Sequence, residues 1–172
     1  MLLAHIEYEL DLHSLYYSDD SDDSTVEFVS TKNTELDEKF KLAIKNLDLD
    51  AIKNLVNTNN YDITSKINNA DTILDRIYDN STKNDERFVI LKYALQTSSK
   101  QKQFSVDDLQ YGLLCMLENA PLESIMYIVD FKPETFKGMT LYDHNIEDLN
   151  DNIYDQASKI KQYLREKGIE FD

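Results

Sequence analysis

The first 33 residues and the remainder of the chain follow two different periods of apolar and polar positions. Ile6, Tyr8, Leu10 and Leu12 alternate with Glu7, Glu9 and Asp11, and Thr25-Val26-Glu27-Phe28-Val29 repeats the alternation. Period two is the pattern of a half-buried strand. Between the two runs, Ser18-Asp19-Asp20-Ser21-Asp22-Asp23-Ser24 has no apolar residue and four like charges, the composition of an exposed loop. A β-hairpin is predicted for 1–33. Because an isolated hairpin is marginal in water, its apolar face is expected to pack on the helical region C-terminal to it.

Beyond Asn33 the spacing becomes helical. Phe40, Leu74, Leu109 and Tyr142 each open an apolar stripe, at intervals of 34, 35 and 33 residues. Three and four positions later stand Ala43 and Ile44, Ile77 and Tyr78, Gly112 and Leu113, Asn145 and Ile146. This i, i+3, i+4 spacing places each set on one helix face. A second stripe comes later in each unit: Ile52, Leu55, Val56; Leu91, Ala94, Leu95; Ile125, Ile128, Val129; Ile160, Tyr163, Leu164. Polar or breaking segments separate the two stripes, among them Asn46-Leu47-Asp48 and Asn119-Ala120-Pro121, and Pro121 suits a first helical turn. No such helix pair can bury its apolar face alone, so about four pairs are expected to stack into one elongated core.

The units resemble the ankyrin repeat. Gly138-Met139-Thr140-Leu141-Tyr142-Asp143 is similar to the G-x-T-P-L-[HD] opening, and Asp71-Thr72-Ile73-Leu74-Asp75 is a weaker copy. Phe40-Lys41-Leu42-Ala43-Ile44 resembles the L-H-L-A-A core, Ile52-Lys53-Asn54-Leu55-Val56 the second-helix stripe, and Asp62-Ile63-Thr64 the D-V-N ending. The likeness covers 37–172, although the motif's histidine is missing throughout and Gly112 and Asn145 stand where small alanines are usual. It implies a mainly α fold, an ankyrin-like solenoid over 34–172 preceded by the hairpin of 1–33. It also implies a surface that binds a partner protein.

Composition agrees with a folded helical chain. Of 172 residues, 41% are hydrophobic and 30% charged, while three Gly and two Pro are too few for a fold rich in tight turns. Cys115 stands alone, so no internal disulfide can form, and a reducing, cytoplasmic setting is expected. The N-terminus reaches Glu7 without a basic region, unlike a secretory signal, and no apolar run approaches the ~18–20 residues that span a bilayer.

Charge is the more informative property. The formal net charge is −15, divided as −8 over 1–36, +1 over 37–105 and −8 over 106–172. Such a field repels phosphates and anionic lipids and draws in basic proteins. The expected partner is therefore a basic protein, in a monomeric or 1:1 complex, with no direct nucleic-acid or membrane binding.

Catalytic chemistry is hard to assemble from these residues. His5, His13 and His144 form no metal-ligand spacing, and His144 is expected to make a polar contact on a first helix. Cys115, amid Leu113, Leu114, Met116 and Leu117, reads as a buried inert thiol. Three glycines cannot build a phosphate-cradling loop, and no nucleophile-elbow motif occurs. The alternation of Asp20, Asp22 and Ser24 starts like a calcium loop, but Thr25 and Thr31 occupy the positions that need Gly and Glu. No enzyme activity, metal or cofactor is expected.

The acidic loop is the predicted partner-binding site: Tyr16, Tyr17, Asp19, Asp20, Asp22 and Asp23. Tyrosines beside acids supply contact area and charge, although the same pair could instead pack the hairpin onto the repeats. The function expected is an acidic antagonist of a basic protein, for instance an immunity protein neutralising a nuclease toxin. The alternatives are a generic ankyrin-type adaptor and a viral or pathogen factor that binds a host or defence protein.

Overall fold

A computed structural model describes residues 34–67, 71–79 and 83–172. The predicted hairpin over 1–33, with its boundary to the repeats, lies outside the described residues, as do Tyr16, Tyr17, Asp19, Asp20, Asp22 and Asp23. The described part is mainly helical. Its eight α-helices are α1 (Thr34–Lys45), α2 (Leu49–Thr58), α3 (Ile73–Arg76), α4 (Asn84–Ser98), α5 (Val106–Met116), α6 (Leu122–Phe131), α7 (Asp143–Asn150) and α8 (Ala157–Glu166). Two short strands, β1 (Thr140–Leu141) and β2 (Glu170–Phe171), pair in parallel with Thr140 opposite Glu170.

Several helices start where a side chain can satisfy the first free amides. The Asp48 carboxylate accepts from the Ala51 amide at 2.9 Å and starts α2. Thr72 starts α3 by accepting from the Leu74 amide at 3.2 Å, while Asp75 reaches back to the Thr72 amide. Ser105 and Asp108 make the same reciprocal pair ahead of α5, at 3.1 and 3.0 Å. This is the capping box, which satisfies two orphan donors at once. Pro121, expected in the first turn of α6, stands one place earlier, at its N-cap in extended conformation.

The helices touch in a regular order. α1 packs on α2, α3 on α4, and α5 on α6; α1, α3 and α5 then contact in series, and so do α2, α4, α6 and α8. Every residue of the four second-helix stripes, from Ile52 to Leu164, is buried in one hydrophobic cluster. A fully buried Leu or Ile contributes about 1.5–3 kcal/mol, so this shared core is what makes helices of 4 to 15 residues stable.

The last pair departs from the predicted register. Tyr142, expected to open an apolar stripe, is 54% exposed, and the inward positions are Leu141, Asn145 and Leu149. Tyr142 has extended backbone at the N-cap of α7, so the preceding Leu141, on β1, turns into the core instead. Loop contacts hold this pair in place. Asn152 Nδ2 donates to the Leu117 and Ala120 carbonyls at 2.8 and 3.0 Å, and the Ile153 amide donates to the Glu118 carbonyl at 3.0 Å. The Gln156 side chain accepts from the Leu122 amide at 2.8 Å.

Candidate functional site

With the acidic loop outside the described residues, the acidic surface that can be built from structure lies on α5 to α7. No Lys or Arg occurs over 103–131 or over 138–158, so these three helices carry no base of their own; from other elements Lys66 pairs with Asp108 on α5 and Lys167 with Asp130 on α6, at 2.5 Å. α5 buries Asp108, Leu109, Gly112, Leu113 and Met116. Its opposite face, at i, i+4 and i+8, holds Asp107, Tyr111 and Cys115. On α7 the inward positions are Asn145 and Leu149, which leaves Asp143, His144, Glu147 and Asp148 exposed; Asp151 and Asp155 extend the acidic run into the following loop.

Apolar area accompanies the charge. Tyr111, on α5, is 53% exposed and Tyr142, the N-cap of α7, 54%, and Val106 and Ile153 are also exposed. Cys115, slight burial and the carboxylates of Asp75 and Asp71 together hold the Tyr111 phenol above its ordinary pKa. Burial, followed by the field of Asp75, pushes the Cys115 thiol up to about 11. The thiol is thus protonated at neutral pH and is a poor nucleophile. It is half-buried rather than fully enclosed as its apolar neighbours suggested.

Asp75 and Asp108 are the two buried acids nearest this face, and their environments differ. Asp75 is 5% exposed; its Oδ2 accepts from the Thr72 amide and, at 3.1 Å, from the Thr72 hydroxyl, while Oδ1 has no hydrogen-bond partner. Burial raises its pKa, and the Thr72 hydrogen bonds oppose that rise without cancelling it. Burial acts on Asp108 in the same sense, but hydrogen bonds from Lys66 and Ser105 outweigh it and pull the carboxyl below its usual value. Both acids serve helix starts and are turned away from solvent, so the charge offered to a partner comes from Asp107, Asp143, Glu147 and Asp148.

His144 makes no structural contact of the kind predicted; it is exposed, and the polar contact at that turn belongs to Asn145, whose Oδ1 accepts from the Tyr142 amide at 3.2 Å. Sequence reasoning marked neither Tyr111 nor Tyr142 as a binding residue. The signal that could have found them is the absence of Lys and Arg from 103–131 and 138–158. Among the described residues no group of three His, Cys, Asp or Glu is arranged to hold a metal ion, and no helix is long and apolar enough to cross a membrane.

Comparison with protein families finds no match, and comparisons with curated proteins and with solved structures find none either.

Proposed function

We propose that the chain is a non-catalytic protein-binding module, built as an ankyrin-like stack of helix pairs, that covers a basic surface on a partner protein and antagonises it. The serial contacts of α1, α3 and α5 on one side and of α2, α4, α6 and α8 on the other support the stacked reading. The observation that carries the functional reading is the set of exposed acids and tyrosines on α5 and at α7, helices with no Lys or Arg of their own: Asp107 and Tyr111, then Tyr142, Asp143, Glu147 and Asp148. Exposed tyrosines flanked by carboxylates combine apolar contact with electrostatic steering, the pairing that recognises a basic protein rather than an acidic or apolar one. Fold alone does not assign this role; the reading is supported by the composition of the exposed positions.

Affinity capture with the full chain at low ionic strength, followed by elution with salt, tests the proposal. Basic proteins released between about 0.1 and 0.5 M salt are expected, in the range where screening removes exposed charge attraction. Capture should fail with the triple variant Asp143→Lys, Glu147→Lys, Asp148→Lys. Partners that are acidic or indifferent to salt, or capture that survives the triple reversal, would overturn it.

A further inference from the structure

α6 turns Ser124, Ile125, Ile128 and Val129 into the core. The positions left on its other face, Glu123, Met126, Tyr127 and Asp130 at i, i+3, i+4 and i+7, all line an open groove of about 540 Å³, bounded by Phe88 from α4 and by Gln156 ahead of α8.

The groove is preformed. The Phe88 and Tyr127 rings meet edge to face with centroids 5.5 Å apart, and Gln96 Nε2 donates to the Tyr127 hydroxyl at 3.1 Å. Gln156 is fixed by the Leu122 amide, and the Tyr163 hydroxyl donates to the Met126 carbonyl at 3.3 Å, so α4, α6 and α8 are tied together around it. Met126 stays 38% exposed among these fixed neighbours. Fixed aromatic rings beside an adaptable thioether suit an interface anchor, because little ordering entropy is lost there on binding.

Charge selects what enters. The lining holds two carboxylates, Glu123 and Asp130, and no Lys or Arg. Lys167 already pairs with Asp130 at 2.5 Å, and Lys92 lies over the Phe88 ring at 4.2 Å. Glu123 makes no ion pair among the described residues, and neither does Asp85, one turn before Phe88, or Asp155, beside Gln156. Acids at helix starts are ordinary, since they suit the helix dipole. Here three exposed ones, from the beginnings of α4, α6 and α8, border one apolar groove without a counter-charge.

We infer that this groove docks a peptide segment of a partner protein that presents an apolar side chain next to Lys or Arg. The apolar group lies against Phe88, Met126 and Tyr127, and the basic group reaches Glu123. Pockets for small molecules cover roughly 70–90% of what they bind, which an open groove cannot do, so a chain segment fits better than a free small ligand. The groove uses none of Asp107, Tyr111, Tyr142, Asp143, Glu147 and Asp148, so it stands or falls separately from the face proposed above.

The test selects a displayed library of random heptapeptides on the immobilised full chain at about 0.15 M salt, where charges farther apart than about 8 Å are screened. Enriched peptides, resynthesised and titrated by calorimetry, should carry Lys or Arg within two positions of Leu, Met, Phe or Trp and should saturate below about 1 mM. Glu123→Lys should weaken them about tenfold, and Met126→Glu more than tenfold. Both side chains are exposed, so circular dichroism and melting temperature should hold in the two variants. The triple variant Asp143→Lys, Glu147→Lys, Asp148→Lys should bind the peptides within about twofold of the parent. The assignment is overturned if no peptide is enriched, if the enriched peptides are acidic or uncharged, if either groove variant binds as the parent does, or if the triple variant loses binding. Sedimentation that shows the parent self-associating and Met126→Glu monomeric would make a second copy the occupant, and would overturn it too.

Discussion

Asp75 and Asp108 occupy the same place in successive first helices, each the third residue after its capping partner and each accepting that partner's backbone amide, yet their pKa values move in opposite directions. The difference is a direct contact from Lys66, which reaches 42 residues along the chain to ion-pair with Asp108; at Asp75 it acts only through its field, and Oδ1 has no hydrogen-bond partner among the described residues. In the last pair the equivalent position is Asn145, which does the same capping work without charge.

Asp75→Asn is therefore expected to stabilise the protein at neutral pH. A carboxyl whose folded pKa is raised favours folding below its unfolded pKa and loses that contribution as pH rises through the folded value. Above the folded pKa the parent carries a buried charge with Oδ1 unpaired; asparagine keeps the acceptor for the Thr72 amide and carries no charge at any pH. A gain of about 1 kcal/mol, or about 2–4 °C in melting temperature, is expected at pH 7, shrinking toward pH 3. Thermal melts of both proteins across that range check it.

Lys66→Ala should act in the reverse sense. Asp108 has a depressed folded pKa, so its contribution is present above the ordinary carboxylate range and disappears as pH falls through the folded value. Removing Lys66 leaves a carboxylate whose side chain is 8% exposed without its ion pair. Because Lys66 itself is half-exposed, the cost at pH 7 is expected to be about 1–2 kcal/mol, less than for a fully buried pair. Denaturant midpoints should differ at pH 7 and converge in acid.

Gly112→Ala should destabilise, although alanine is the better helix former by about 1 kcal/mol. A Cβ at Gly112 would sit 2.9 Å from Leu74 Cβ and 3.6 Å from Ile128 Cδ1. The first distance forces α3 and α5 apart, and overpacking of this kind costs about 1–3 kcal/mol. A net loss in urea midpoint is expected; an unchanged or raised midpoint would show that the two helices have room to separate.

Asn152→Ala should loosen the last helix pair selectively. Asn152 is 5% exposed and its amide serves the Leu117 and Ala120 carbonyls together. Leaving those acceptors unpaired is expected to cost about 1–3 kcal/mol. Hydrogen exchange should accelerate in α7 and α8 more than in α1 to α4; a uniform increase would assign Asn152 to global stability instead.

Tyr111→Ala should weaken partner binding by about 2 kcal/mol, roughly thirtyfold, the scale of a central interface tyrosine. The side chain is half-exposed and outside the core, so melting temperature should hold within a degree or two. Titration of the captured partner measures the first quantity and calorimetric melting the second.

The helices of the described region were legible because burial leaves a periodic trace. Ile52, Leu55 and Val56, or Ile125, Ile128 and Val129, are spaced as a helix face requires, and each of these residues is buried. Where a side chain sits beside a change of element, periodicity misleads. Tyr142 continues the 33-residue interval in the sequence, but it caps α7 in extended backbone and Leu141 takes the inward place. The expected site loop, Tyr16 to Asp23, lies outside the described residues, so the proposed binding face rests on Tyr111 and Tyr142, which local pattern did not mark for that role.

Residue order alone accounts for the helical character of 34–172, since the 3.6-residue period, the cap residues and the scarcity of Gly and Pro act within one turn of the chain. Which like residues behave differently was decided by packing. Asp75 and Asp108 share a local motif, and only the tertiary arrangement brings Lys66 to one and leaves the other half-satisfied. Likewise, Lys41, Lys45, Arg76 and Arg87 are scattered over 47 positions and line one cavity only because α1, α3 and α4 pack together. Electrostatic and steric relations of this kind depend on distance through space, which sequence separation does not encode.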